Sequence, residues 1–320
     1  MCAMNPAALV CLSLCSHKMY RWIQREHRKF SNVFQLCLVA GTETYARISL
    51  STTHICYTVL NARGLSALDN TNGMITVKIR GHEVLARLDV KGFLYTYWED
   101  PVFGFKEIIQ YLSDLFHLDI YGTAIGQRHL GIMDWVQSRQ KVVDRTLIPT
   151  GAEFTAKEYQ HVLSTNTSEI LFIGAKPPTD FYHFDAILPH TEIFIQYGAW
   201  VRAEHLQRMD CVQIMICDAN LSSKDMNIIL KHWLGGMLNR LKCLMIQTRR
   251  PIFRFEIFSD LESRMVLVEE EMQFVSTFDG SRKIAANHHA IKRNDGKVAS
   301  IEFQPGNRAM GLFVWPNKSS

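Results

Sequence analysis

The chain has 320 residues, of which 47% are hydrophobic and 21% are charged, and its net charge is +4. These values are typical of a packed globular chain and exclude a disordered one. Its apolar runs are too short to cross a bilayer, and its basic residues form no concentrated stripe, so we expect a cytoplasmic or nuclear protein that binds neither membrane nor nucleic acid.

The first predicted element is an amphipathic helix that begins at Asn5-Pro6. Asn5 can cap the helix and Pro6 suits its first turn, where a missing N-H costs nothing. An alternative interpretation is a secretory signal, because the run from Ala7 to Leu14 is uncharged and largely apolar. No basic residue precedes this run, however, as a signal would require. The helix predicts an apolar stripe that must be buried against this chain or a partner, formed by Leu9, Leu12, Cys15, Met19, Trp22 and Ile23.

The eight cysteines indicate reduced core residues, because most of them stand inside apolar runs. No pair has the close spacing of a structural zinc site, so we expect no metal. The residues concerned are Cys2, Cys11, Cys15, Cys37, Cys56, Cys211, Cys217 and Cys243.

Residues 33–105 form a β-rich segment of short Val-, Ile-, Thr- and Tyr-rich runs separated by turn residues, which predicts antiparallel strands. Ile75–Ile79 alternates apolar with polar residues, and Gly81-His82 turns the chain into Val84–Leu88. The stretch from Leu65 to Gly73, with Asp69–Asn72, is the predicted loop.

Residues 106–250 contain strand-like apolar cores that recur at steps of roughly 20 to 30 residues, which is the range of leucine-rich repeats. A strand followed by a crossover helix, repeated, predicts a parallel sheet backed by helices. The units are degenerate, so a flavodoxin-like or other parallel α/β sheet stays open. The predicted strand cores are Leu118–Ile120, Leu147–Ile148, Leu171–Ile173, Ile193–Ile195, Ile214–Ile216 and Leu244–Ile246.

Helices are predicted between these strands. Ile132–Val136 begins one of them, Thr155 can cap a second, and Ser222 or Ser223 can cap a third. The third helix carries one apolar face, formed by Met226, Ile229, Leu230, Trp233 and Leu234.

Residues 251–320 predict a three-stranded β-meander. Asn294-Asp-Gly296 is a tight-turn sequence before Val298–Phe303, and Pro305-Gly-Asn307 turns the chain into Met310–Trp315. Such a meander can close the exposed edge of the repeat sheet.

One column of residues is a candidate substrate-binding surface. It occupies the position between the two inward-facing residues of each strand, where solvent should favour polar groups. We expect at least two of its four large apolar side chains to be accessible; the rival reading is a sheet buried on both faces, which parallel strands favour. The column is formed by Asp119, Phe172, Phe194, Met215 and Met245.

No motif indicates an enzyme or a cofactor site, since no phosphate-binding loop, nucleophile elbow or zinc-protease signature is present. We therefore expect no catalytic residue, no cofactor and no metal. His288-His289 are interpreted as surface residues near a hairpin, and Glu269–Glu271 as a solvated charge run.

The segment from Met4-Asn5-Pro6 to Trp22-Ile23 resembles the second half of an F-box, the motif that docks on the Skp adaptor of Skp/cullin/F-box ubiquitin ligases. Four residues precede Asn5, so residues 1–32 are expected to form an F-box truncated at its front. The resemblance implies that the adaptor is contacted by Pro6, Leu9, Leu12, Leu14, Met19 and Ile23.

The later chain resembles the nematode F-box proteins that have a type-2 F-box-associated region. The strongest matches are Leu206-x-Arg-Met-Asp210, Asn220–Asn227 and Leu230–Leu234, joined by Tyr97–Asp100, Tyr111–Phe116, Ile132–Val136 and Ile291–Ile301. The resemblance implies a substrate-receptor role, in which the F-box holds the adaptor and the associated region recognises a protein to be ubiquitinated. The residue patterns together predict an α/β chain with an amino-terminal F-box remnant, a β-rich segment, and leucine-rich-repeat-like units closed by the meander.

Two functions are therefore expected as alternatives. The first is a substrate receptor that holds a Skp-type adaptor and an unknown protein substrate. The second is an adaptor-free interaction module in which the first helix belongs to the core, with a buried stripe from Leu9 to Ile23.

Overall fold

A computed structural model describes residues 5–27, 34–41, 44–50, 55–68, 73–90, 92–181, 187–278, 280–284, 286, 288–304 and 306–316. The chain forms two compact units, Met1–Pro149 and Thr150–Ser320. Their boundary lies inside residues 106–250, which the sequence predicted as one region. Each unit is a mixed α/β structure built on a sheet.

The sheet of the first unit has the strand order β8-β7-β1-β2-β3-β6-β5-β4. The pairs β1/β7, β7/β8 and β3/β6 are parallel, and the others are antiparallel, so the predicted all-antiparallel arrangement is wrong at β3/β6. The strands are β1 (Phe34–Ala40), β2 (Thr44–Leu50), β3 (Cys56–Gly64), β4 (Ile75–Ile79), β5 (His82–Leu88), β6 (Leu94–Trp98), β7 (Ile120–Ile125) and β8 (Arg145–Ile148).

The β4/β5 hairpin confirms the prediction made from its alternating pattern. Its turn uses Arg80 and Gly81, with φ of 49° and 94°. Two successive residues with positive φ match the right-handed twist of the strands, and Gly adopts that conformation without strain. Within the predicted loop from Leu65 to Gly73, Leu65–Ala67 form one turn of 3₁₀ helix, and Asp69–Asn72 lie outside the described residues.

The predicted amino-terminal helix is two helices, α1 (Pro6–Cys15) and α2 (His17–His27). Ser16 breaks the run by adopting an extended conformation, with φ −159° and ψ 132°, and its Oγ accepts a hydrogen bond from the backbone N–H of Lys18 at 3.2 Å. A serine that caps a following helix competes with continuation of the preceding one.

Two further helices belong to the first unit, α3 (Pro101–Phe116) and α4 (Leu130–Arg139). Asp100 caps α3 by accepting from the N–H groups of Val102 and Phe103, and His117 ends it in the left-handed conformation. Helix α3 packs on β1, β2 and β3, and α2 packs on α3.

The sheet of the second unit has the order β9-β10-β11-β12-β18-β17-β16-β13. Strands β9 to β12 are parallel and the rest pair antiparallel. The meander β16-β17-β18 covers the edge of β12, as predicted. The strands are β9 (Ile170–Ile173), β10 (Glu192–Ile195), β11 (Gln213–Ala219), β12 (Cys243–Thr248), β13 (Met265–Val268), β14 (Met272–Ser276), β15 (Gly280–Ile284), β16 (His288–Lys292), β17 (Val298–Phe303) and β18 (Ala309–Val314).

The helices of the second unit are α5 (Ala156–Thr165), α6 (Ala203–Arg208), α7 (Ser223–Leu234) and α8 (Arg254–Ile257). Thr155 caps α5 in a reciprocal capping box with Glu158, as predicted. Ser222 caps α7, whereas the Ser223 hydroxyl accepts from the N–H of Phe253 at 2.9 Å.

The regular strand–helix alternation of leucine-rich repeats is not found across the described residues. Helices α6 and α7 follow β10 and β11, but the described parts of the connection from β9 to β10 contain no helix. The first predicted strand core is also displaced, because β7 begins at Ile120 and leaves Leu118 and Asp119 before it.

The cysteines divide between core and surface. Cys211 and Cys243 are buried, as predicted, but Cys15 and Cys56 are exposed. These two stand at element ends, since Cys15 is the last residue of α1 and Cys56 is the first of β3. The terminal residue of an element has fewer neighbours to cover it, which an apolar sequence context does not reveal.

Candidate protein-interaction surface

Four of the predicted column residues stand side by side in the second unit. Phe194 pairs with Phe172 on one side and Met215 on the other, and Met215 pairs with Met245. The rings of Phe172 and Phe194 stack with centroids 4.2 Å apart and planes 3° apart. We call Phe172, Phe194, Met215 and Met245 the sheet-face column.

Asp119 does not belong to the sheet-face column. It is exposed, precedes β7, and lies in the first unit, whereas the other four residues lie in the second. Its assignment came from reading Leu118–Ile120 as a strand. The strand begins at Ile120, and the side chain of Gln140 binds both the N–H and the C=O of this residue, a contact that sequence patterns do not reveal.

The β14/β15 hairpin covers one end of the sheet-face column. Met272 and Ile284 of the hairpin form a buried cluster with Cys243, Met245 and Phe313, and Met215 packs partly against it. Met245 is 8% exposed, while Phe172, Phe194 and Met215 are half-buried. The column is therefore accessible mainly on its β9, β10 and β11 side.

Polar contacts fix the hairpin in this position. The side-chain carbonyl of Gln213 accepts from the hydroxyl of Ser276 at 2.9 Å and from the N–H of Thr277 at 3.3 Å. The ring of Phe278 lies 5.7 Å from that of Phe194. This hairpin was not predicted from the sequence, although Met272 and Phe274 alternate with polar residues before the turn signal Asp279-Gly280.

A small cavity of about 60 Å³ lies beside the column, toward the carboxyl ends of the strands. Its lining includes Met215 and Met245, the backbone of Gly311, and the polar side chains of Gln247 and Glu302. Gly311 continues the column, since it pairs with Met245 and with Glu302. A Cβ at this glycine would lie 2.6 Å from the ring of Phe313, so a side chain there would require that buried ring to move.

The side chains around this cavity are suited to apolar contact and hydrogen bonding. Cys217 also lines the cavity, but burial and the neighbouring Asp218 raise the pKa of its thiol. A thiol with a raised pKa stays protonated near neutral pH and is a poor nucleophile. Among the described residues, no group of three His, Cys, Asp or Glu side chains could hold a metal ion.

The residues predicted to contact an adaptor divide into two groups. Pro6, Leu9 and Ile23 are buried inside the first unit. The others, Leu12, Leu14 and Met19, are half-buried, and the neighbouring Trp22 is 37% exposed. A buried side chain cannot touch a partner in this structure, so the inward faces of α1 and α2 serve the core.

The structure also shows the surroundings of the two motifs interpreted as surface residues, His288-His289 and Glu269–Glu271. His288 is not a plain surface residue, because its Nε2 lies 2.5 Å from the hydroxyl of Ser300 and its ring stacks on Trp315, whereas His289 is exposed. Glu269–Glu271 is exposed, and Glu271 pairs with Lys283 at 2.7 Å.

Within the described ranges, every helix is too short or too polar to traverse a lipid bilayer.

Comparison with known proteins connects this surface with one protein family. Residues 182–246 match the family described as F-box associated. The matched segment contains β10, β11, α6, α7 and most of β12, and with them three of the four residues of the sheet-face column.

Two curated Caenorhabditis elegans proteins are similar to parts of the chain. The E3 ubiquitin-protein ligase hecw-1 is 28% identical over 79 residues, which are 25% of this chain and 6% of that protein. The uncharacterized protein F59B2.9 is 20% identical over 212 residues, which are 65% of this chain and 49% of that protein. The matches thus span less than half of either relative. No solved structure is significantly similar to the chain.

Proposed function

We propose that this chain is the substrate-recognition subunit of a Skp/cullin/F-box ubiquitin ligase and binds a protein target through its F-box-associated region. The observation that carries the proposal is the family match at residues 182–246, which contains Phe194, Met215 and Met245 in register. Phe194 and Met215 are half-buried, whereas Met245 is covered. Aligned apolar side chains that keep exposed surface on one sheet face are suited to contact a protein. The partial similarity to a named E3 ubiquitin-protein ligase supports the same setting.

The adaptor would be held by the outward faces of α1 and α2. Because Pro6, Leu9 and Ile23 are buried, the contact falls to residues with exposed surface. These residues are Leu12, Leu14, Met19 and Trp22. This is a smaller apolar set than the F-box resemblance implied. The buried residues belong to the core of the first unit, and the residues with exposed surface are those available to contact the adaptor.

Co-purification of the full chain with a Skp-type adaptor tests this proposal. The wild-type chain should retain the adaptor, and Met19→Glu should release it because a charge then enters an apolar contact. Lys18→Glu is the matched control on the same helix, since Lys18 is exposed and outside the proposed contact. Circular dichroism must show that the variants stay folded. A folded wild-type chain that retains no adaptor contradicts the ligase role.

Target recognition needs a separate experiment. Proteins that co-purify with the wild-type chain and accumulate when the chain is deleted are target candidates. Phe194→Ser should lose them, because it removes one ring of the stacked pair on the sheet-face column. Ile187→Ser is the control, since Ile187 is 63% exposed and lies outside the column. Equal retention by both variants argues against the column as the binding surface.

The burial of Pro6, Leu9 and Ile23 favours a second candidate function, an adaptor-free interaction module. In this alternative α1 and α2 are structural parts of the first unit, and the sheet-face column still binds a protein. The two candidates differ in one measurement. The module keeps its protein partner, in a manner that depends on Phe194, while no ligase component co-purifies.

A further inference from the structure

A groove lies at the amino-terminal ends of β11 and β12. A groove of about 470 Å³ is bounded there by β14, by the residues just before β12, and by the end of β18. Pockets that bind ligands or side chains of partners commonly have volumes of about 300–1,000 Å³. The groove is separate from the sheet-face column, because none of the four column residues lines it.

The walls of the groove are apolar and held in place. They include Leu241, Phe274, Val275 and Trp315. Trp315 donates its indole N–H to the hydroxyl of Ser300 at 2.7 Å, and the ring of Phe274 packs on Phe313 at 5.4 Å. Aromatic side chains fixed in this way offer a preformed contact surface with little entropy to lose on binding.

The rim of the groove is positively charged. Arg240, Lys242 and Lys297 stand around it, and the described residues that line the groove include no Asp or Glu. Lys297 is positioned by the hydrogen bond from its Nζ to the backbone carbonyl of Asn239 at 3.2 Å. Arg240 faces Asp210 outside the groove at 3.4 Å, but both side chains are about half or more exposed, so this pair neutralises the rim weakly.

Charge and shape together select the occupant. An apolar groove ringed by cations attracts an apolar side chain flanked by carboxylates and repels one flanked by Lys or Arg. A peptide segment supplies both features on one extended chain. Val275 lines the groove and is 68% exposed, so this part of the groove wall is accessible to such a segment from solvent.

We propose that this groove binds an acidic segment of a partner protein, with one apolar side chain against Trp315 and flanking Asp or Glu side chains against Lys242 and Lys297. The inference rests on the proposed role in protein recognition and names the class of partner. It applies equally to a ligase subunit and to an adaptor-free module.

Selection from a random-peptide display library on the full chain tests the proposal. The selected peptides should combine Asp or Glu with a Leu, Phe or Trp. Synthetic copies should bind in fluorescence anisotropy, and copies with Lys in place of the acidic residues should not. Binding should weaken as salt is added, since rim charges are exposed to screening.

Two variants locate the binding. Lys242→Glu combined with Lys297→Glu should lower the affinity about tenfold, since two exposed charge pairs are lost and reversed. Val275→Asp should also lower it, because a carboxylate then stands in the groove wall and repels the acidic probe; its exposed position spares the fold. Lys224→Glu is the control, because Lys224 is exposed on α7 and does not line the groove.

Three results would overturn the inference: selected peptides without acidic residues, no selected binder at all, or binding that survives the double charge reversal. Failure here is distinguishable from failure of the proposed function. Loss of target capture in Phe194→Ser, with no groove-dependent peptide, refutes the groove and leaves the sheet-face column standing.

Discussion

The hydroxyl groups of Ser13 and Tyr111 lie 2.7 Å apart in the interior of the first unit, although 98 residues separate them in the chain. Ser13 donates in turn to the backbone carbonyl of Val10 at 2.6 Å, which makes the Tyr111 hydroxyl the donor to Ser13. Burial raises the pKa of Tyr111, so its hydroxyl stays protonated and able to donate. This contact fastens α1 to α3.

Tyr111→Phe should lower the free energy of unfolding by about 1 kcal/mol, because one buried hydrogen bond is lost while the ring remains. Chemical denaturation measures the change. Tyr57→Phe is the control, since the Tyr57 hydroxyl makes no hydrogen bond to the described residues. If α1 were detached from the first unit in solution, the two variants would be equally stable.

Two helical glycines should respond in opposite ways to alanine. A Cβ at Gly104 in α3 would lie 2.2 Å from the indole of Trp98, whereas a Cβ at Gly131 in α4 would meet nothing within 4 Å. Gly104→Ala should therefore destabilise the protein by about 1–3 kcal/mol through overpacking. Gly131→Ala should stabilise it by about 0.5–1 kcal/mol because alanine favours the helix. Thermal melts of both variants would show shifts of opposite sign, and a shift of the same sign contradicts the packing at Trp98.

The cap of α7 gives a third prediction. The Ser222 hydroxyl accepts from the N–H of Asp225 at 3.2 Å, and the Asp225 carboxylate accepts from the N–H of Ser222 at 2.8 Å. Ser222→Ala should cost about 1 kcal/mol of unfolding free energy, while Ser222→Gly should cost a few tenths of that value, since glycine is tolerated at this position. Urea titrations compare the two. A Ser222→Ala variant as stable as the wild type would mean that the capping bond contributes nothing.

His190 predicts a loss of stability in mild acid. Burial lowers the pKa of this side chain from its ordinary value of 6.5, although the hydrogen bond to the carbonyl of Ser168 opposes the shift. The unfolded chain therefore takes up a proton before the folded chain does. The stability that the neutral, buried His190 contributes is fully present above pH 6.5. It is lost as the pH falls from there toward the lowered pKa of the folded state.

Melts at about pH 7 and pH 5 should show a lower midpoint in acid. His190→Gln should be less stable than wild type at the higher pH but should lose less on acidification. Part of the dependence should persist, because burial also lowers the pKa of His27 and His129. A wild-type midpoint that rises in acid would contradict the burial of His190.

Sequence patterns predicted the elements whose signals are local. The β4/β5 hairpin follows from alternation and a turn glycine, α5 from the cap at Thr155, and β16 to β18 from two turn sequences. The strands β9 to β12 were found because four apolar cores recur, and their register followed from the same alignment.

One local signal was missed, because Ser16 ends α1 and a serine before a helical pattern is a capping signal that the sequence contains. The other missed features depend on contacts between residues far apart in the chain. The first residue of β7, Ile120, is bound by the side chain of Gln140, twenty positions away. The cover over Met245 depends on Gln213 and Ser276, which are 63 residues apart in the chain.

The β14/β15 hairpin has a consequence for how such chains diversify. Among the described strands, β14 and β15 form a two-stranded sheet of their own, so their backbone hydrogen bonds do not belong to the ladder beneath. Substitutions at Val275 therefore leave the ladder intact while they reshape the groove. Substitutions in this hairpin can therefore change the shape and charge of the groove without changing the strand pairing of the larger sheet.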